Sequence, residues 1–189
     1  MILVLLADGF EEIEALTPVD VLRRAGLNVL TCGINSKIVC GAHKIPVICD
    51  VSPEEVNLKE VSTVIFPGGM PGALNLDASE FTDKAINAVI ENGGRLAAIC
   101  ASPLILGRRG LLKGKNATCY PGFENELIGA KITDASVVTD GQITTARGMG
   151  VSLNFAEELV SLLVSPQRAR EICEAVVARE SNTAMEEKK

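Results

Sequence analysis

Short apolar runs alternate along the chain with longer segments in which apolar residues recur every three or four positions. A continuously apolar run is typical of a strand buried on both faces, and such strands belong to parallel sheets covered by helices. The runs predict strands at Ile2–Leu6, Asn28–Gly33, Thr63–Phe66, Arg95–Ile99, Ser136–Val138 and Gln142–Thr145. The pattern therefore predicts an α/β fold with a doubly wound, mostly parallel sheet.

The longer periodic segments predict helices between these strands. Their bounds are Glu11–Ala25, Ser79–Ile90, Val151–Leu163 and Ser165 to about Arg179, with a short helix from Pro103 to about Arg109. In the first helix we expect Ile13 and Leu16 to face the sheet. Lys37–Cys40 and Ile45–Cys49 are separated by a turn and predict a small β-hairpin after the second strand. The alternation of strands and helices predicts helices on both faces of the sheet.

No repeat or low-complexity linker divides the chain. We therefore expect one domain over residues 1–180 and a polar tail over residues 181–189. In a doubly wound sheet the functional side chains gather at the carboxyl ends of the strands. The candidate chemistry is therefore expected in the segments that follow the strands.

The composition excludes several classes of protein. The 189 residues include 18 basic and 24 acidic side chains, a net charge of −6, and no basic run. Nucleic acid is not an expected partner, because its binding depends on clustered Lys and Arg. The apolar run Met1–Ala7 is too short to span a membrane and lacks the features of a signal peptide. We therefore expect a cytoplasmic protein with no membrane partner.

The cysteine and histidine counts limit the chemistry further. The six cysteines include no C-x-x-C pair, and His43 is the only histidine. The ligand spacing of a zinc site is missing, so no metal is expected. In a reducing compartment the thiols stay unpaired, and most are interpreted as small buried apolar residues. His43 lies in the predicted hairpin and is interpreted as a surface residue.

Cys100 differs from the other thiols because it directly follows a predicted strand. Arg95–Ile99 runs into Cys100-Ala101-Ser102-Pro103, the outline of a nucleophile elbow, in which a strand turns sharply into a helix. Such a turn exposes the side chain, leaves free N–H groups beside it and lowers the pKa of a thiol. The sequence predicts a reactive Cys100, with a buried structural cysteine as the alternative.

Two other strand ends could meet this elbow. The strand ending at Phe66 is followed by Pro67-Gly68-Gly69, which fits either half of an oxyanion hole or an ordinary tight turn. The first strand is followed by an acidic segment that would repel a phosphate group. Within it, Glu11 and Glu12 complement the helix dipole. The spacing leaves open whether Glu14 faces the strand ends.

Taken together, these segments resemble the ThiJ/PfpI superfamily, in particular the branch that includes the Parkinson-disease-associated protein deglycase. The resemblance covers nearly the whole chain. It rests on Asp8-Gly9-Phe10-Glu11-Glu12-Ile13-Glu14, Pro18-Val19-Asp20-Val21-Leu22-Arg23-Arg24-Ala25-Gly26, Phe66-Pro67-Gly68-Gly69, Ala97-Ala98-Ile99-Cys100-Ala101 and Ala146-Arg147-Gly148. The resemblance implies a homodimer with a flavodoxin-like fold of the class I glutamine amidotransferase type.

The resemblance also implies roles for individual residues. Cys100 would be paired with Glu14, and the N–H groups of Gly69 and Ala101 would form an oxyanion pocket next to Gly68. Arg24 and Lys44 match positions near the site entrance, where they could attract a small anion, with solvated surface charge as the alternative. Because two adjacent anions raise each other's pKa, we expect a Cys100 thiolate beside a protonated Glu14.

The resemblance implies a cysteine-dependent enzyme that needs no cofactor. It would convert α-oxoaldehydes such as glyoxal and methylglyoxal to hydroxy acids, or repair early glycation adducts on protein side chains. The alternative is a redox-sensing stress-response or chaperone-like protein that uses oxidation of Cys100. Ala101 stands where peptidase members carry His, which argues against a peptidase. Tyr120 stands where the deglycase branch often has His, and it could either orient the reacting groups or fill the pocket wall.

Overall fold

A six-stranded sheet lies at the centre of the computed structural model, which describes residues 1–178. The strands within these residues are β1 (Ile2–Leu6), β2 (Val29–Gly33), β3 (Ile38–Cys40), β4 (Pro46–Ile48), β5 (Thr63–Phe66), β6 (Arg95–Ile99), β7 (Asn116–Ala117), β8 (Lys131–Ile132), β9 (Val137–Asp140) and β10 (Ile143–Ala146). The α-helices are α1 (Glu12–Arg24), α2 (Gly72–Asp77), α3 (Glu80–Glu91), α4 (Pro103–Arg108), α5 (Ser152–Leu163) and α6 (Pro166–Ala175).

The central sheet has the strand order β2-β1-β5-β6-β10-β9. Strand β9 runs antiparallel to β10, and the other neighbouring strands pair in parallel. Among residues 1–178, no helix combines the length and the apolar character needed to cross a membrane. The predicted α/β class, with a doubly wound, mostly parallel, flavodoxin-like sheet, is confirmed.

Alternate side chains of each central strand pack into two different cores. In β1, Leu3 and Leu5 contribute to the core formed with α2, α3 and α4. Val4 and Leu6 contribute to the core formed with α1, α5 and α6 on the opposite face. Because both faces are covered, every residue of β1 is buried. This two-sided burial explains why the strand is a continuous apolar run in the sequence.

Helix α1 is rotated relative to the expectation from its sequence. Ile13 is 48% exposed and Leu16 is 37% exposed, so the prediction that they face the sheet is wrong. The buried face contains Glu14, Ala15 and Leu22 instead. The start of the helix thus has apolar side chains on its outer face and the Glu14 carboxyl group on its inner face. Hydrophobic periodicity predicts the opposite, because it assumes that apolar side chains face the core.

Other differences concern short elements and the end of the chain. Helix α2 and the small parallel pair β7 and β8 were not predicted, because elements of six and two residues contain too few residues to show a period. Helix α6 ends at Ala175, before the predicted limit. The predicted polar tail lies outside the described residues. The β3–β4 hairpin pairs antiparallel as predicted.

Candidate active site

The elbow after β6 holds Cys100 in an unusual backbone conformation. Its φ is +65°, in the left-handed region that residues other than glycine rarely adopt. The N–H of Cys100 donates to the carbonyl of Ala146 at 2.9 Å, and the carbonyl of Cys100 accepts from the N–H of Tyr120 at 2.8 Å. Both peptide groups of the strained residue are therefore fixed by neighbouring segments, which keeps the thiol at the strand end.

Glu14 lies in the first turn of α1 and is fully buried. Its Oε2 accepts a hydrogen bond from the N–H of Gly68 at 2.9 Å. Its other oxygen, Oε1, has no hydrogen-bond partner among residues 1–178. The Cys100 thiol acts on this carboxyl group and lowers its pKa, which places the two side chains next to each other. The free oxygen can therefore exchange a proton with the sulfur or with a bound substrate.

The turn after β5 allows the two side chains to approach, because it is made of glycine. A Cβ at Gly68 would lie 2.5 Å from Glu14 Oε2 and 2.6 Å from Cys100 Cβ. Gly69 has a φ of +87°, and a Cβ there would lie 2.3 Å from the backbone nitrogen of Glu11. A side chain at either position would therefore collide with the site or with the start of α1.

Backbone N–H groups converge on the sulfur. Those of Gly69 and Ala101 interact with Cys100 and favour its ionised form. They belong to two separate turns, one after β5 and one after β6, which parallel pairing of these strands brings to the same edge. The structure thus brings together Glu14, Gly68, Gly69, Cys100 and Ala101.

Burial dominates the electrostatics of the pair. It raises the pKa of Glu14 to about 7, and Glu11 adds a repulsive contribution. Burial and the neighbouring Glu14 raise the pKa of the Cys100 thiol to about 12. This direction is opposite to the thiolate that the elbow predicted. Because two adjacent groups that repel each other's charge lose their protons one at a time, the pair titrates as a unit, and its first proton leaves near the raised pKa of Glu14.

The remaining candidate residues lie at different distances from this pair. The ring of Tyr120 borders Gly148, where a Cβ would be 3.2 Å from the ring and 3.9 Å from Cys100 Sγ. Tyr120 is 50% exposed, so it lies at the mouth of the site. Lys44 is exposed in the turn of the β3–β4 hairpin. Arg24 pairs with Asp20 at the far end of α1, about 15 Å along the helix axis from Glu14.

The structure also assembles a group that sequence spacing did not suggest. His43 Nδ1 lies 3.0 Å from a carboxyl oxygen of Glu12 and 3.5 Å from one of Glu11. The backbone N–H of His43 also donates to Glu12 at 2.8 Å. The three side chains have the donor types of a metal site, but the Glu12 oxygens are already used to attach the hairpin to α1. The residues are 31 positions apart, so no local motif could reveal the contact.

Cys100 is distinguished from the other five thiols by its surroundings. Cys32, Cys49 and Cys119 are buried, and burial raises the pKa of each to about 11 or 12. Cys173 is partly buried, and this burial, followed by the neighbouring Glu157, raises its pKa as well. Only Cys100 combines, within residues 1–178, a carboxyl partner with two convergent backbone N–H groups.

Comparisons with known proteins were made for the whole chain. The model of the DJ-1/PfpI family matches residues 1–162. Protein dj-1beta of Drosophila melanogaster is 32% identical over 93% of this chain and 95% of its own length. A deglycase of Pyrococcus abyssi is 34% identical over 86% of this chain and 98% of its own. A glutathione-independent glyoxalase of Caenorhabditis elegans is 30% identical over 86% of this chain and 87% of its own.

Solved structures of DJ-1 proteins also superpose on the chain over most of its length. The crystal structure of a DJ-1 superfamily protein from Salmonella typhimurium superposes with a TM-score of 0.88 at 31% identity, covering 95% of this chain and 98% of that one. The oxidized form of DJ-1 from Toxoplasma gondii superposes with a TM-score of 0.89 at 31% identity, covering 93% and 97%.

Proposed function

The chain belongs to the DJ-1/PfpI family, and from that premise we propose that it is a cysteine-dependent enzyme of glyoxalase or deglycase type that needs no cofactor. Its substrates would be small α-oxoaldehydes or the early adducts that they form on protein side chains. The names of the relatives from Pyrococcus abyssi and Caenorhabditis elegans support this class of reaction. The observation that carries the proposal is the buried Glu14 carboxyl with one free oxygen beside Cys100.

The reaction would begin with addition of the sulfur to the aldehyde carbon. A C–S bond forms, the thiol proton passes to Glu14, and the carbonyl oxygen takes on negative charge. The N–H groups of Gly69 and Ala101 would stabilise this oxygen as an oxyanion pocket. Transfer of the proton from Glu14 to this oxygen then yields a hemithioacetal on Cys100 and returns Glu14 to its carboxylate form.

Glu14 would then move a proton between the two carbons of the substrate. Its carboxylate removes the hydrogen of the sulfur-bearing carbon, which gives an enediol, and returns a proton to the neighbouring carbon, which gives a 2-hydroxy thioester. Water hydrolyses the thioester, releasing the hydroxy acid and the thiol. The substrate is oxidised at one carbon and reduced at the other, so no external electron acceptor is required. Tyr120 at the mouth would orient the carbonyl group in this scheme.

The proposal is tested by measuring glycolate from glyoxal and D- or L-lactate from methylglyoxal. We expect wild-type protein to form both products, and Cys100→Ser and Glu14→Gln to reduce turnover by at least 100-fold, a typical loss when a general acid–base group is removed. Cys173→Ser, which changes a partly buried thiol on α6, serves as the matched control. Equal turnover by wild type and both site variants would refute the proposal.

A redox sensor is the second candidate function. Its specific support is that the same two N–H groups, together with a protonated Glu14, can hydrogen-bond the oxygens of an oxidised sulfur. Mild peroxide should then add two oxygens to Cys100 before any other thiol, measured by peptide mass spectrometry. Uniform oxidation of all six cysteines would count against this function.

We further propose that the protein is a cytoplasmic homodimer. Ile13, Leu16 and Ile45 form an exposed apolar groove with Leu153 and Val176, on the outer face of α1. A contiguous apolar patch of this kind is typical of a protein interface, and a second copy would cover it. The six free thiols support a reducing compartment.

A further inference from the structure

Ser102 lies two residues after Cys100 and is fully buried at the start of α4. Its hydroxyl donates a hydrogen bond of 2.5 Å to the carbonyl of Pro67. This contact connects the elbow after β6 with the turn after β5, 35 positions away in the sequence. The mechanism derived above does not use Ser102, so its buried hydroxyl needs a separate explanation.

The acceptor of this hydrogen bond belongs to the peptide group that also holds Glu14. The Pro67 carbonyl and the Gly68 N–H are the two ends of one planar amide. The carbonyl end accepts from Ser102, and the N–H end donates to Glu14 Oε2 at 2.9 Å. A hydrogen bond accepted by an amide carbonyl polarises the amide and strengthens the bond that its N–H donates. The hydroxyl, the amide and the carboxyl therefore form one buried chain.

We propose that Ser102 is a positioning residue that orients and polarises the Pro67–Gly68 amide, and thereby controls how strongly Glu14 holds its proton. This inference rests on the Glu14 and Cys100 pair of the proposed function. The groups that act on Glu14 are Cys100, the charged Glu11 of the same helix and the backbone of Met149. Among residues 1–178, the Pro67 carbonyl is the hydrogen-bond partner of the Ser102 hydroxyl, so its effect passes through the amide.

The sign of the effect follows from this geometry. The Gly68 N–H favours the ionised form of Glu14. Loss of the Ser102 hydroxyl weakens that donor, so Glu14 should keep its proton to a higher pH. Besides burial, the charged Glu14 raises the pKa of the Cys100 thiol. A Glu14 that stays neutral to a higher pH repels the thiolate less, so the pH at which Cys100 becomes reactive should fall.

The test measures the rate of Cys100 alkylation by iodoacetamide against pH, with peptide mass spectrometry to separate this thiol from the other five. For Ser102→Ala we expect the midpoint to fall by about 0.5 pH, the scale of a partial loss of one hydrogen bond to a carboxylate. Ser102→Thr, which keeps the hydroxyl, should return it towards the wild-type value. In a Glu14→Gln background, Ser102→Ala should leave the midpoint unchanged, because the titrating carboxyl is gone.

Thr31→Val is the matched control, because it also removes a buried hydroxyl. Thr31 lies on β2, away from the site, and its hydroxyl donates to Asp50. We expect it to lower the melting temperature without moving the midpoint. A Ser102→Ala protein that loses stability with an unchanged midpoint, or that shifts equally in the Glu14→Gln background, would overturn the inference. The readout needs no aldehyde. A shifted midpoint in a protein without turnover would therefore refute the proposed enzyme and keep this role of Ser102.

Discussion

Replacement of Glu14 by Gln should make the protein more stable at neutral and alkaline pH. The folded state raises the pKa of Glu14 from 4.5 to about 7, mainly by burial. One pH unit corresponds to about 1.4 kcal/mol, so this shift is equivalent to about 3 kcal/mol. A raised pKa means that the folded protein binds this proton more tightly than the unfolded chain does. The corresponding stability is present below pH 4.5 and is lost as the pH rises through 7.

Gln is the appropriate substitution because it resembles the protonated carboxyl group. It keeps an oxygen for the Gly68 N–H and carries no charge at any pH. The free energy of unfolding of the variant should therefore lack this pH-dependent loss. Relative to its difference from wild type at pH 4, the variant should gain about 3 kcal/mol by pH 8.

Urea denaturation at fixed protein concentration, at intervals from pH 4 to pH 8.5, measures this difference directly. The concentration must be constant because the proposed dimer would unfold in a concentration-dependent way. Glu91→Gln, an exposed substitution at the end of α3, serves as the control and should follow wild type at every pH. A difference between Glu14→Gln and wild type that stays flat from pH 4 to pH 8.5 would refute the argument that the buried Glu14 carboxylate destabilises the fold at neutral pH.

Three further predictions test other parts of the structure. Gly68→Ala places a Cβ within 2.6 Å of the side chains of Glu14 and Cys100, so turnover of methylglyoxal should fall about 100-fold, the scale of a misplaced reacting group. Near-normal turnover would contradict the close approach of these two side chains to Gly68. Contacts with Glu12 and Glu11 raise the pKa of His43, so its stabilising contribution is present below pH 6.5 and is lost as the pH rises above the raised value. His43→Asn should therefore lower the melting temperature more at pH 5.5 than at pH 8.5, and an equal loss at both would count against the ion pair. Ile13→Glu should convert the proposed dimer to monomers in analytical ultracentrifugation, whereas Ile90→Glu, at an equally exposed position on α3, should not. An Ile13→Glu protein that is still a dimer would exclude the outer face of α1 as the interface.

The central part of the fold could be predicted from local pattern because both faces of the sheet are covered. Strands β1, β5 and β6 have the predicted bounds, since each is a largely apolar run with clear ends. The predicted bounds of the edge strand β9 begin one residue and end two residues too early, and this strand is only partly buried. Partial burial weakens the apolar signal, which explains the less accurate boundary.

The composition of the site could be predicted only in part. Cys100 and the glycines after β5 have local signatures, because a strand end followed by small residues is visible in the sequence. Sequence spacing alone leaves the orientation of Glu14 open. The exposed Ile13 shows that hydrophobicity alone gives the wrong rotation of α1 about its axis. Glycine at position 68 provides the room for Glu14 to turn inwards, and this contact spans 54 residues. Such long-range contacts leave no periodic trace in the sequence.

The same long-range geometry explains how a site without histidine can transfer a proton near neutral pH. An isolated carboxyl group is ionised well below pH 7 and is a weak base there. Removal from water raises the pKa of Glu14 into the useful range, and Cys100, followed by the Gly68 N–H, limits the rise by favouring the ionised form. The final pKa thus depends on a balance between burial and these hydrogen bonds. The bond from Gly68 comes from an amide which Ser102 holds at its other end. The strength of the proton acceptor therefore depends in part on the joining of two turns, each of which also contributes an N–H group towards Cys100.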